Sequence, residues 1–339
     1  MSKPTAKPVT AQEPEEPAFA RPRVFVSRCL GFEACRWDGA MLRDDFVARL
    51  GAHADLVTRC PEAEIGLGTP RPPVRIALRG DEPRLMQPES GRDLTDTMRV
   101  WTTATLDALG PIDGFILKSR SPSCGPRDVK HYADAGPDAM ASAKGPGLFA
   151  AQVLQRFGEG AVEDEGRLTN FVIRERFLIR IFAFAELRAA RATGRMSELV
   201  DFHARHKFLL MAAREAAMRQ LGNIVANREG LTPDAVFVEY ARTFSGVFDA
   251  PWRRGAVINA MEHAFGFFKK SLTPAEKKHY IQLVRRYRER RAPLAAPIAL
   301  LASWSEREGY DYLRRQSLLR PYPADLIDLT DSAKGRGDL

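Results

Sequence analysis

The sequence is poor in cysteine, with four residues among 339, at positions 29, 35, 60 and 124. None forms a closely spaced pair, which argues against a disulfide-stapled scaffold and against a zinc ribbon. No apolar run approaches the roughly 20 residues that a membrane-spanning helix needs. No N-terminal stretch joins basic residues to an apolar segment in the manner of a secretion signal. Thiols without a leader or a span are expected in a reduced cytoplasm, with no membrane partner. Residues 1–20 are rich in Pro, Ala and charge and read as a disordered tail, with a second tail over 331–339.

What the chain has is length for two cores and an uneven distribution of charge. Residues 1–160 carry 21 basic and 21 acidic side chains, whereas 161–339 carry 30 and 22, so the whole formal charge of +8 lies in the second half. A surplus of that kind predicts a polyanionic partner.

From 23 to about 160, β-branched runs alternate with helical patterns: VFVSRCL, AMLRDDFVARLGAHA, DLVTRCPE, LTDTMRVWTTATLDALG, IDGFILKS and GPGLFAAQVLQRFG. That order predicts an α/β domain over 21–160 with a mostly parallel sheet. The Gly- and acid-rich stretch 158–167 reads as a boundary. Beyond it, an all-α bundle over 168–330 is expected, with about five to seven helices judged from start and stop signals. Ser197 reads as one helix cap, and Thr232-Pro233 and Thr273-Pro274 as two more, Thr273 and Glu276 having capping-box spacing.

Cys29, Cys60 and Cys124 each stand where a strand-like run meets a turn. In parallel sheets ligands bind beyond the carboxyl ends of the strands, so three soft ligands converging there suggest a metal centre with one open position. A lone cysteine is also a good small core residue. Cys35 reads as a fourth ligand, a reserve thiol or packing, with packing or a supporting role preferred. Glu62 reads either as a proton-transferring carboxyl or as a solvated turn residue, with Glu64 its competitor. Ser121 reads as a substrate contact or a turn cap.

The ordered set CLG with RWDG, CPEAEIGLGTPRPP, GRDLTDT and ILKSRSPSCG resembles the thiouracil desulfidase (TudS) family over about residues 23–160. That resemblance implies a 4Fe-4S cluster held by Cys29, Cys60 and Cys124, with one iron free of protein ligands to take the substrate's sulfur. It also implies that Glu62 and Ser121 are catalytic, in a non-redox exchange of sulfur for oxygen that releases hydrosulfide. Asp93, Thr95 and Lys118 match family positions too and are expected to be structural. Arg75 departs from the acidic residue of many short members, which bears on whether a free base is the substrate.

Residues from about 168 to 330 resemble the helical domain of unknown function fused to such enzymes, most recognisably at HARHKFLLMA. The layout resembles the RudS group, implying 4-thiouridine in transfer RNA as substrate. His203, His206 and Lys207 are candidate RNA contacts, the histidines being also weak metal candidates or structural. Arg253, Arg254, Lys269, Lys270, Arg285 and Arg286 complete the basic candidates, with Tyr280 and Tyr287 interleaved for stacking. Trp252 and the Phe265, Phe267 and Phe268 group are expected in the core. The other readings are a desulfidase of free thiouracil or nucleoside, and a nucleic-acid-binding protein whose cluster is structural or redox-sensing.

Overall fold

The computed structural model describes residues 18–136 and 139–330. The tails expected over 1–20 and 331–339 lie outside the described residues, apart from 18–20. Of those, Phe19 meets the Phe182 ring edge-on at 5.8 Å.

Strand β1 (Arg23–Ser27) is followed by helix α1 (Asp45–His53) and strand β2 (Asp55–Arg59), which lies parallel to β1. The expected helix over 40–54 begins only at Asp45, because the Asp44 carboxylate accepts the Val47 amide at 2.8 Å and ends the extended segment there. Strands β3 (Arg75–Arg79), β4 (Glu82–Gln87) and β5 (Arg92–Asp93) then form an antiparallel meander, and helix α2 (Thr95–Ala108) leads to β6 (Gly114–Leu117). After β7 (Val129–Tyr132) and β8 (Ala141–Gly145), helix α3 (Leu148–Phe157) precedes β9 (Val162–Asp164).

Two sheets result. One is parallel throughout, in the order β2-β1-β6-β9. The strand order changes direction at β1, which places a switch point, and hence a crevice, beyond the carboxyl ends of β1 and β6. The other sheet, β5-β4-β3-β7-β8, is mixed. Its strands were not legible beforehand because charge interrupts their apolar pattern at Arg75, Arg79, Glu82 and Arg84, and because β8 is exposed over most of its length.

The region expected as a boundary contributes β9. Val162 is fully buried beside β6, and the Asp164 carboxylate accepts the Arg167 amide at 2.9 Å to turn the chain. The sheet therefore extends past residue 160.

Seven helices follow among the described residues: α4 (Phe171–Ala192), α5 (Met196–Ala226), α6 (Pro233–Ser245), α7 (Arg254–Phe265), α8 (Pro274–Arg288), α9 (Ala295–Glu308) and α10 (Asp311–Arg314). Thr273 and Glu276 form the expected capping box, and Thr232 precedes Pro233 at the N-cap of α6. Ser197 is not a cap; Arg195 holds that position and Ser197 lies in the first turn of α5. No helix of the described residues is long and apolar enough to cross a membrane.

The bundle is fused to the sheet. Phe25, Phe115, Leu117 and Val162 turn to one face, against α2 and α3, while Val24, Val26 and Ile116 turn to the other, against α1 and α4. Helix α4 thus supplies a layer of the α/β unit. Polar contacts fix it there: Arg180 donates to the Asp113 carbonyl at 2.6 Å, and Arg188 to the Asp113 carboxylate at 2.8 Å. Gly114 permits the close approach, since a Cβ there would lie 2.6 Å from Ile181 and 3.1 Å from the Phe177 ring. Gly114→Ala is expected to destabilise the fold by about 1–3 kcal/mol, the usual cost of overpacking a core. A urea melt showing an unchanged midpoint would contradict this packing.

Candidate active site

All four parallel strands deliver residues to one place. Cys29 follows β1, Cys60 follows β2 directly, the loop after β6 carries Lys118 to Cys124, and Glu165 follows β9. Cys29, Cys35, Cys60, Cys124, Glu62 and Ser121 line a single cavity of about 390 Å³. All four cysteines are reduced and buried. Burial, and then the nearby Cys60, push the Cys29 thiol up to about 11, and burial drives Cys124 well above its ordinary range. Cys35 and Cys60 share a hydrogen bond that lowers Cys60 and raises Cys35. The Cys60 sulfur also lies 3.8 Å from the Cys35 carbonyl. Cys35 is therefore part of the cavity wall, beside Cys60.

Glu62 is buried and held on both sides. Arg71 donates to Oε2 from Nε at 3.1 Å and Nη2 at 2.7 Å, while Ser123 and Ser121 donate to Oε1 at 3.0 and 3.4 Å. Glu64 turns away, taking Arg28 at 2.7 Å and Arg59 at 3.6 Å. Of the two carboxyls, Glu62 lines the cavity and Glu64 does not. Ser121 is a turn cap, its Oγ accepting the Ser123 and Cys124 amides at 3.2 and 3.0 Å, and it also lines the cavity.

Two groups escaped sequence reasoning. Arg71 was masked by its setting between prolines in TPRPP, which reads as a solvated turn. Its Nη1 donates to the carbonyls of Cys35 and Gly68 at 3.0 and 2.8 Å, so one guanidinium joins the loop after β1 to two points of the loop after β2. Lys118 was expected to be structural; its ammonium lines the cavity and meets Glu165 at 2.5 Å, and Ser119 binds the same carboxylate through backbone and hydroxyl. Asp93 and Thr95 are structural as expected, closing the turn between β4 and α2. Arg75 donates to the Gly136 carbonyl at 2.8 Å and stacks on Tyr132, away from the cavity.

The donor set fits an iron-sulfur cluster. Four thiols and no imidazole line the cavity, and thiolates suit iron-sulfur and zinc chemistry. No three His, Cys, Asp or Glu side chains among the described residues stand close enough to grip a single metal ion. The positive charge of bound iron would offset the burial that raises the Cys29 and Cys124 thiols.

The model of a family described as 2-thiouracil desulfurase matches residues 24–165, and that of a protein of unknown function (DUF1722) matches 207–323. The uncharacterized protein YbbK of Bacillus subtilis (strain 168) is 33% identical over 109 residues, covering 30% of this chain and 72% of that protein. The chain belongs to the 2-thiouracil desulfurase family. The uncharacterized protein YbgA of Escherichia coli (strain K12) is 28% identical over 123 residues, 36% of this chain and 73% of its own. A solved [4Fe-4S]-dependent thiouracil desulfidase, TudS, shares 31% identity over 44% of this chain and 93% of its own, with a TM-score of 0.34.

Within this desulfurase-family chain the basic candidates divide. Lys207, Arg253, Lys269, Lys270, Arg285 and Arg286 are exposed. Arg254 is an anchor, donating to the Tyr287 carbonyl at 2.7 Å and stacking on that ring. His206 is corrected from a candidate RNA contact to a core residue: it is 1% exposed, stacks on Phe202 at 4.0 Å and bonds the Phe202 carbonyl. His203 is half-buried and bonded to the Tyr240 hydroxyl at 3.1 Å. Tyr280 and Tyr287 are buried and present no stacking surface, and Trp252 packs half-buried against the core. Phe267, expected in the core, is exposed while its neighbour Phe268 is not.

Burial pushes both His206 and His203 down to about 4, with Lys207 adding to the effect on His203. An unfolded imidazole titrates near 6.5, so between about 6.5 and 4 the unfolded chain binds more protons than the fold. The stability these residues contribute is complete above about 6.5 and falls as pH drops toward 4. Thermal melts between pH 7.5 and 4.5 should record that decline, with a shallower slope for His206→Phe. Removing one partner of the buried pair, in Arg71→Met, should cost about 3–5 kcal/mol. In urea titrations Glu62→Gln with Arg71→Met should lose less than Arg71→Met alone; an equal or larger loss would show that the pair is not coupled.

Proposed function

We propose that this protein replaces the sulfur of a thiolated uracil by oxygen, with 4-thiouridine in transfer RNA as the substrate. The observation that carries the reading is the convergence of Cys29, Cys60 and Cys124 with Glu62 and Ser121 on one buried cavity. Cys29, Cys60 and Cys124 would hold a 4Fe-4S cluster with one iron free of protein ligands. When bound, such a cluster supplies a Lewis acid for the thiocarbonyl sulfur.

The chain's own residues supply the proton chemistry. A thiocarbonyl and water give a carbonyl and hydrogen sulfide, with no net change in electrons. Glu62 accepts the proton of the attacking water, because its Oε1 faces the cavity serines while Arg71 occupies Oε2. Ser121 orients the water or the pyrimidine while its Oγ stays fixed by the Cys124 amide. Cys35 supports Cys60 by hydrogen bonding to its sulfur, as groups behind a metal ligand do.

Charge supports RNA over a neutral base. The helical half carries the whole surplus of +8, whereas the cations lining the cavity are, apart from Arg120, paired with carboxylates. The family description favours a second reading, free 2-thiouracil as substrate.

Anaerobic reconstitution followed by nucleoside analysis of treated tRNA tests the proposal. Cys124→Ala should lose the cluster absorption band and all turnover, whereas Cys35→Ala should keep the band. Glu62→Gln should keep the band and lose about 10²–10⁴-fold in rate. Turnover of free thiouracil with none of tRNA would replace the RNA reading by the second one, and turnover retained in Cys124→Ala would sink the cluster assignment.

A further inference from the structure

A second cavity lies away from the thiols, at the seam between the sheet and the bundle. It holds about 320 Å³ and is walled by β9 with the turn before it, by α4 and by the connection from α6 to α7. It shares no lining residue with the reaction cavity. Gly160 lets the connection close over the sheet, since a Cβ there would lie 2.9 Å from the Asp249 carboxylate and 3.2 Å from the Phe248 carbonyl oxygen.

Arg180, on this wall, is a charge that the fold leaves without a counter-charge. Its side chain is 5% exposed. Nη1 donates to the Asp113 carbonyl, and the flat face of the guanidinium rests on Phe184 at 4.1 Å from the ring centre. Nε is buried with no hydrogen-bond partner, and no carboxylate forms an ion pair with Arg180 among the described residues. The nearby Asp113 carboxylate is taken by Arg188 and by the Arg23 amide at 2.7 Å. Two other cations of the wall, Arg127 and Arg167, share Glu163 at 3.1 and 2.9 Å. Burial draws Arg180 down to about 10, with Asp249 and Asp113 opposing it. A buried, unpaired cation is costly, and this one borders a space large enough to admit an anion.

Charge and shape narrow the ligand. The lining holds four guanidinia, Arg180 among them, against the carboxylates of Glu159, Glu163 and Asp249, a surplus of one positive charge. That surplus suits a singly charged anion, and Glu159 and Asp249 would repel a doubly charged phosphate. The planar fork of a guanidinium matches a carboxylate, which offers two oxygens in one plane. A phosphodiester with a ribose on either side is too bulky to reach a group so deeply buried. Ile173, Phe177, Phe248 and Trp252 supply apolar wall for the rest of the molecule.

We propose that the seam cavity is a second binding site, for a small monocarboxylate with an apolar or aromatic body, whose carboxylate pairs with Arg180. The site lies outside the thiol cavity and its occupation does not depend on the substrate assigned there.

Isothermal titration calorimetry and thermal melts of the full-length protein test this with phenylacetate as the probe, 2-phenylethanol as its neutral counterpart and inorganic phosphate as a compact anion of higher charge. Phenylacetate should bind and raise the melting midpoint as its concentration increases. The alcohol should bind at least about tenfold more weakly, the effect of one charge-assisted hydrogen bond. Arg180→Met should lose about tenfold to a hundredfold in phenylacetate affinity by the same reasoning. Asp249→Asn should gain about two- to fivefold, because an exposed like charge is removed from the wall. Asp249 is exposed and has no hydrogen bond or ion pair among the described residues, so Asp249→Asn decides the matter even where Arg180→Met does not fold.

No binding of phenylacetate, equal affinity for the alcohol, tighter binding of phosphate, or unchanged phenylacetate affinity in Asp249→Asn would each overturn the assignment. Displacement of phenylacetate by unmodified tRNA would give the cavity to an RNA strand and overturn the carboxylate as its ligand. None of these measurements reads turnover, so a failure here is separate from a failure of the desulfuration reading.

Discussion

The ion pair between Glu62 and Arg71 is the constraint on which the site depends. Arg71 and Glu62 lie on two stretches of one loop, and their contacts reach the loops that follow β1 and β6 through the Cys35 carbonyl and the serines at 121 and 123. The cysteines therefore need no disulfide to stay assembled. Their positions follow from a charge pair that is costly to break, because either partner left alone would be a buried, unpaired charge. The same pair orients the carboxylate, so holding the cavity in shape and aiming its acid-base group are one arrangement.

Much of this site was legible from residues. Cys29, Cys60 and Cys124 announced themselves as strand ends, and the geometry of parallel sheets brought those ends together. The contacts that escaped notice are those whose sequence separation hides them. Leu117 and Asp164 face each other in the register of β6 and β9, so Lys118 and Glu165 meet simply by continuing that ladder, although they are 47 positions apart in sequence. Recognising the pair required knowing that 162–164 is a strand, and three residues inside a Gly-rich acidic stretch carry too little pattern to say so.

In the helical half, periodicity was the better guide and composition the worse one. Phe202, His206 and Leu209 repeat at helical spacing and share a buried face, so His206 belongs to a stripe of core residues despite its polar neighbours. Tyr280, Val284 and Tyr287 repeat likewise on α8 and are buried together. The arginines and lysines of that helix occupy the complementary face, where the chain's surplus charge meets water. Polar residues in an amphipathic helix are read correctly only after the apolar stripe has been drawn.

Helix α4 gives the fusion of the two halves a meaning beyond adjacency. It lies against Val24, Val26 and Ile116 and reaches within contact of Gly114, serving as part of the sheet's own wall. Without α4, Val24, Val26 and Ile116 would keep α1 but lose part of their cover, so an α/β half of this sequence standing alone would need other apolar cover there. The seam between the two halves is thus a packed interior face, with Gly114 a point of close approach between strand and helix.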